Sequence, residues 1–270
     1  KCGGNSNDCG GGGDPHFQLW GQAHATFHGE CDLVLVHSDD FHGGAGFDLH
    51  ARTTIESYFS YIETAVLRVG EDVMEFHKDY FYLNGVKLHP SDLPLTFGEP
   101  HQYTVSVPEV GANKNPKHYQ YYHVDLHEDS SVLFRFYKQY LTVNMNGHRK
   151  DFRDSVGLLG SYEVGAMLDR SGKQVGSMYD LGFEWQVNPS DPKLFTDEPD
   201  RPPQLPYERC RLPTAPRMSR EQRRNLLRAR NKVLLEAAQK ACAHIPTDSD
   251  FQLCVDDVTL TGDLGLADLW

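Results

Sequence analysis

The residues with the plainest chemical meaning stand near the start of the chain, at Asp14-Pro15-His16. An aspartic carboxyl group beside such a bond can attack its own main-chain carbonyl carbon and form a cyclic anhydride, and the tertiary amide nitrogen of proline leaves readily once protonated. His16 is adjacent in sequence and can donate or relay that proton. A fold that strains the peptide would hasten the step. The same residues also read as a turn leading into a first strand, because Asp-Pro favours turn initiation. Since the attacking carboxyl group must spend time protonated, cleavage is expected to be faster in mild acid.

Histidine offers a second chemistry. The chain has 14 of them, and imidazole suits zinc, copper and nickel. His24 with His28, and His123 with His127, are spaced by four on probable strands, which sets each pair roughly 13 Å apart. Single satisfied or exposed histidines are therefore expected there, not shared ligands of one ion. A G-x-S-x-G elbow, an H-E-x-x-H helix and a phosphate-binding glycine loop are all lacking. The Gly10 to Gly13 run has no following lysine and helix, and reads as part of a flexible glycine-rich lead-in over 1–12.

The elements that must position these residues are mostly strands. Between Ala25 and Asn146 short apolar and aromatic runs alternate with polar residues at period two: Cys31 to His37, Tyr61 to Val69, Val73 to His77, Tyr80 to Leu83, Tyr103 to Val107, Tyr121 to Leu126, Val132 to Phe136 and Tyr140 to Met145. Asn84-Gly85 and Gly70-Glu71-Asp72 mark two tight hairpins. Many short strands with turns between them predict a mostly β fold, an antiparallel β-sandwich. Residues 189–216 are proline-rich and read as an extended tether. Ser219 to Gln222 has the form of a capping box, and Leu226, Leu227, Val233, Leu234, Ala237, Ala238 and Ala241 recur at helical spacing. That predicts a helix over about 220–243, with shorter ones near 251–258 and 264–270, as a small C-terminal helical subdomain over 217–270. The arginines of the first helix (Arg220, Arg223, Arg224, Arg228, Arg230) are read as its solvated face.

Composition narrows the function classes. A formal net charge of -12 argues against nucleic acid, whose phosphates are bound by lysine and arginine. No apolar run approaches the roughly 18 residues needed to span a bilayer, and the N-terminus lacks the layout of a signal peptide, so a mature chain whose export signal is gone is expected. The proline in Asn188-Pro189-Ser190 disqualifies the one sequence near an N-glycosylation acceptor. Six cysteines, Cys2, Cys9, Cys31, Cys210, Cys242 and Cys254, lie without any CxxC pair. Disulfides in an oxidising compartment are the favoured reading; buried reduced thiols are the alternative.

The run Gly13 to Val36, GDPHFQLWGQAHATFHGECDLVLV, resembles the opening of a von Willebrand factor type D domain. The likeness continues through Ile62 to Phe76, the Asn84-Gly85 hairpin and Gly157-Leu158-Leu159-Gly160, which stands where the family has G-L-C-G-N, and it spans about two thirds of the chain. It implies a domain over 13–188, secretion, and a role in extracellular polymers, gels or adhesive matrices such as mucins. Some members of that family cleave themselves at the Asp-Pro bond. Leu159 replaces a family cysteine, which leaves Cys2 to pair elsewhere, with Cys9 as a candidate; Cys31 with Cys210 and Cys242 with Cys254 are the other pairs expected. The tail from Cys242 to Trp270 is similar to short cysteine-bearing tails that follow such domains. Family members also hold calcium, which wants six to eight oxygens. Here Gly21, Ser161 and Gly165 stand at ligand positions, and Ser161, Glu163 and Asp169 are the remaining candidates.

The leading expectation is thus a secreted structural or adhesive module without enzymatic turnover, contacting other extracellular proteins or glycans through a face that includes His118, Tyr119, Tyr121 and Tyr122. Covalent multimers are not expected. The alternatives are a self-processing protein using Asp14, Pro15 and His16, and a soluble protein that binds a metal or small ligand in a cleft between the sandwich and the helical tail. A pocket with converging titratable groups would favour chemistry; a broad exposed aromatic patch would favour assembly.

Overall fold

Period-two alternation gives most of the strands an apolar face, and the chain buries these faces by stacking two antiparallel sheets. The structure, a computed structural model, describes residues 6–12, 15–21, 24–56, 59–109, 114–115, 117–127, 129–199, 208–214, 221 and 232–270. One sheet has eight strands in the order β10 (Leu95–Phe97), β11 (Tyr103–Ser106), β12 (Tyr119–Asp125), β13 (Ser131–Tyr137), β14 (Tyr140–His148), β1 (Ser6–Gly12), β2 (His16–Gln18) and β3 (His24–Thr26). The other has six: β4 (Asp32–Ser38), β5 (Phe47–Glu56), β6 (Phe59–Val69), β7 (Asp72–Phe76), β8 (Phe81–Leu83) and β9 (Val86–Leu88). Tyr122, Phe134, Leu141 and Val143 from the first sheet meet Leu49, Ala65, Leu67 and Phe76 from the second in one core. The Asn84-Gly85 turn has φ of 52° and 76°, the left-handed pair that a type I′ hairpin requires.

Two strands near the site and core, β1 and β5, differ from the sequence-based expectation. Ser6–Gly12, expected as flexible, is β1, paired with β14 on one side and β2 on the other. Glycine has little strand propensity of its own, so the two neighbours make this strand. β5 went unread because its second face carries Asp48, His50 and Arg52, all buried.

Single helical turns lie at Phe41–Gly44 (α1) and Arg149–Phe152 (α2), followed by α3 (Met178–Glu184), α4 (Lys232–Ala241) and α5 (Asp248–Thr261). Ser219 and Gln222 of the capping box and the arginines of the expected long helix fall outside the described residues; its described C-terminal part is α4. Thr247 caps α5 at its N-terminus by accepting from the Asp250 N–H, and Gly262, at φ 74°, ends it in the left-handed conformation. A 3-10 turn at Leu264–Leu269 follows.

These C-terminal elements lie on the outer face of the eight-stranded sheet and form a second core with it. Ala238, Val255, Val258 and Leu266 pack on Tyr119, Tyr121, Tyr137 and Tyr140. Tyr119 donates to Asp268 at 2.6 Å and Tyr137 to Asp263 at 2.6 Å. The tyrosine-rich stretch expected to face partners is therefore covered: Tyr119, Tyr121 and Tyr122 are all buried. The large apolar side chains left exposed among the described residues, Val86, Val107, Val164 and Leu264, stand singly on separate segments.

Disulfides join Cys31 to Cys210 and Cys242 to Cys254, the latter tying the end of α4 to α5. Cys9 is buried and has no disulfide partner among the described residues; Cys2 lies outside them. The described parts of the proline-rich segment lie along the six-stranded sheet, where Arg52 sits over the Phe195 ring and donates to the Asp197 carbonyl, and Glu30 bridges to Arg211. No helix among the described residues is long and apolar enough to cross a membrane.

Candidate functional site

The alternation that turns Phe17 into the core turns His16 and Gln18 outward on β2, and puts His24 and Thr26 outward on β3. On the strands beyond β1, the outward residues are Thr142 and Asn144 of β14 and Arg135 of β13. Register arranges them in two rows across the sheet. One runs Arg135, Thr142, Gly12, His16, Thr26; the other runs through Asn144, Gly10, Gln18 and His24. Each row crosses β1 at a glycine, so the middle of this surface is bare backbone. A Cβ on Gly12 would lie 2.3 Å from the Thr142 hydroxyl, and one on Gly10 would lie 2.2 Å from the Val143 carbonyl. The glycines are needed for close strand approach and leave a hollow.

The helical tail roofs that hollow into a cleft of about 320 Å³, walled by His244, Ile245, Pro246, Asp250, Leu269 and Trp270. The size suits a small molecule. Two histidine–aspartate pairs meet there. His16 Nε2 lies 3.3 Å from Asp257 Oδ1, and its Nδ1 lies 2.8 Å from the Thr26 hydroxyl directly across the strand pair. His24 Nδ1 lies 2.9 Å from Asp250. Asp250 and Asp257 are seven residues apart on α5, two turns and about 10.5 Å along one helical face. Between the pairs, the Trp270 ring stands 5.5 Å from that of His16 and 5.8 Å from that of His24, and its indole N–H donates to Asp257. Burial pushes the His24 imidazole below its ordinary value, against the opposing pull of Asp250.

Of the residues read for self-cleavage, Pro15 and His16 are buried and Asp14 lies outside the described residues. The Pro15 carbonyl accepts from the Phe27 N–H.

The calcium candidates do not present a converging set of oxygens. Glu163 is held by Arg149 at 2.8 and 2.9 Å, and Ser161 accepts from the Val164 N–H within its own turn. Asp169 Oδ1 accepts from the Ser171 N–H, the Ser171 hydroxyl and the Lys173 N–H, and these hydrogen bonds hold its carboxyl below the usual carboxylate range. Ser161 and Asp169 are thus engaged within their own turns and Glu163 by Arg149. Among the described residues the one group suited to a cation is elsewhere: Glu75, His77 and Asp197, whose ligand atoms lie within 4.8 Å of one another. Tyr80 and Tyr82 donate to Asp197, and Glu75 accepts the Thr196 and Asp197 N–H groups, so the cluster pins residues 196–197 to the sheet.

Reasoning from sequence missed Arg135, Asp250, Asp257 and Trp270. The only signal for the aspartates was their i, i+7 spacing in a helix whose docking partner was unknown. No protein-family model matches the chain, and no curated protein matches it.

Proposed function

We propose that the chain is a secreted, disulfide-stapled structural or interaction module of the von Willebrand factor type D kind that cuts its own backbone at Asp14-Pro15. The observation that carries the self-cleavage is the placement of His16. It follows the scissile bond by one residue, and its ring is fixed between the Thr26 hydroxyl and the buried carboxylate of Asp257.

In this reading the Asp14 carboxyl group adds to its own main-chain carbonyl carbon, the C–N bond to Pro15 breaks, and the proline nitrogen leaves with a proton supplied by His16. Water then opens the anhydride. Asp257 and the Thr26 hydroxyl hold the ring in one orientation for the proton transfer. Two disulfides favour an oxidising compartment. Because β1 is hydrogen-bonded to both β14 and β2, the cut segment would stay in the sheet, and cleavage would leave the folded domain assembled.

The test is intact mass under denaturing conditions after incubation at pH about 5.5, below the ordinary histidine pKa. Release of the segment ending at Asp14, slowed in His16→Ala, is the expected outcome. An unchanged mass after days removes the self-cleavage reading.

A further inference from the structure

The self-cleavage reading uses one end of the cleft and leaves Arg135 unexplained. This guanidinium projects from β13 into the hollow beside Thr142 and is half-buried. One of its terminal nitrogens donates to Asn144 Oδ1 at 2.8 Å and to the Leu269 carbonyl at 2.5 Å, both neutral acceptors. Its Nε is buried without a hydrogen-bond partner. The two aspartates nearby are engaged by His16 and His24. A half-buried guanidinium that meets only neutral acceptors has its positive charge partly desolvated and not balanced by a carboxylate. Its other terminal nitrogen has no hydrogen bond among the described residues and is the group left to donate to a ligand carboxylate in the cleft.

We infer that the cleft is a binding site for a small hydroxylated carboxylate of the sugar-acid class, with Arg135 taking the carboxylate. The remaining surfaces match the rest of such a molecule. Thr142, Asn144 and Gln18 on the floor offer hydroxyl and amide groups to ligand hydroxyls, and the bare backbone of Gly10 and Gly12 leaves room for a ring. Ile245, Pro246 and the Trp270 indole cover its apolar edge. The cleft of about 320 Å³ accommodates a monosaccharide and little more. The inference does not rest on self-cleavage: Arg135, Thr142 and Asn144 belong to β13 and β14, and no bond of the chain need break for a ligand to enter.

The experiment titrates the full chain with glucuronate, succinate and glucose, reading tryptophan fluorescence and calorimetric heat. Glucuronate is expected to bind saturably, at least tenfold tighter than succinate, with glucose undetectable. Arg135→Gln is expected to weaken glucuronate at least tenfold. Gln18→Ala, which removes a floor amide that makes no hydrogen bond to the guanidinium, should weaken glucuronate more than succinate. Equal affinity for glucuronate and succinate overturns the sugar part of the assignment, leaving a bare carboxylate site. Absence of saturable glucuronate binding to the unmodified chain, or equal binding of glucuronate and glucose, overturns the whole. Since the deciding titrations use the unmodified chain, a variant that fails to fold does not blunt the test. Loss of glucuronate binding in Arg135→Gln with release of the Asp14 segment retained separates this site from the cleavage reading.

Discussion

Asp257 Oδ1 on α5 lies 3.3 Å from His16 Nε2 on β2, a contact between residues 241 positions apart. It joins the helical tail to the sheet at the place where the cleft is deepest in titratable groups. Both side chains are buried, so breaking this contact costs more than it would at the surface.

Asp257→Asn keeps the shape and removes the charge. It is expected to lower stability by about 1–3 kcal/mol and to slow cleavage at Asp14-Pro15 by roughly 100-fold, the lower range of what a positioned acid or base supplies. Urea midpoints and a time course of denatured mass check the two effects separately. A cleavage rate equal to that of the parent chain would remove Asp257 from the proton path.

The two disulfides close loops of very different length, 179 and 12 residues. In the chain-entropy account a longer loop restricts the unfolded chain more. The double variant Cys31→Ala with Cys210→Ala should therefore lose roughly 2 kcal/mol more stability than Cys242→Ala with Cys254→Ala. Equal losses in chemical denaturation would contradict that account for this protein.

Acid should unfold the chain partly through His50. Burial pushes its imidazole from an ordinary 6.5 down to about 4, so as the pH falls the unfolded chain takes up this proton first. Stability from this group is fully present above pH 6.5 and is lost between there and about pH 4, roughly 3 kcal/mol in all. His37 works in the opposite sense: its hydrogen bond to Asp48 raises it, so its contribution is complete below 6.5 and fades as the pH rises through the folded value. Burial pushes the Asp48 carboxyl up, but the His37 hydrogen bond and the Arg68 charge together bring it below its ordinary value, so its share is lost only in stronger acid. His50→Gln should flatten the fall in urea midpoint between pH 6.5 and 4. An unaltered slope would show that other groups carry it.

Cys9 should be inert in the folded chain. Burial, with a smaller push from Asp8, drives its thiol well above the ordinary value, and the thiolate is the reactive form. Peptide mapping after iodoacetamide should find Cys9 alkylated in denaturant and unmodified without it. Fast labelling of the native chain would mean that β1 opens.

Most strands between Cys31 and Met145 and the Asn84-Gly85 turn were legible from alternation, because each rests on near neighbours in the chain. β1 was not legible, since glycine carries no pattern and its pairing is decided by β14 and β2. β5 hid for a different reason: Asp48 and Arg52 look solvent-facing until His37, Arg68 and Asp32 are found paired with them.

By itself the sequence determined a β-rich chain with a separate helical end, the chemistry available at Asp14-Pro15-His16, and cysteines suited to disulfides. The tertiary structure alone decided that the tyrosines of β12 are covered and that Asp250, Asp257 and Trp270 close over His16, His24 and Arg135. The physical reason is range. Strand patterns follow from neighbouring side chains, whereas the cleft exists because two glycines on one strand leave a gap in the sheet surface and a helix more than 200 residues away docks across it.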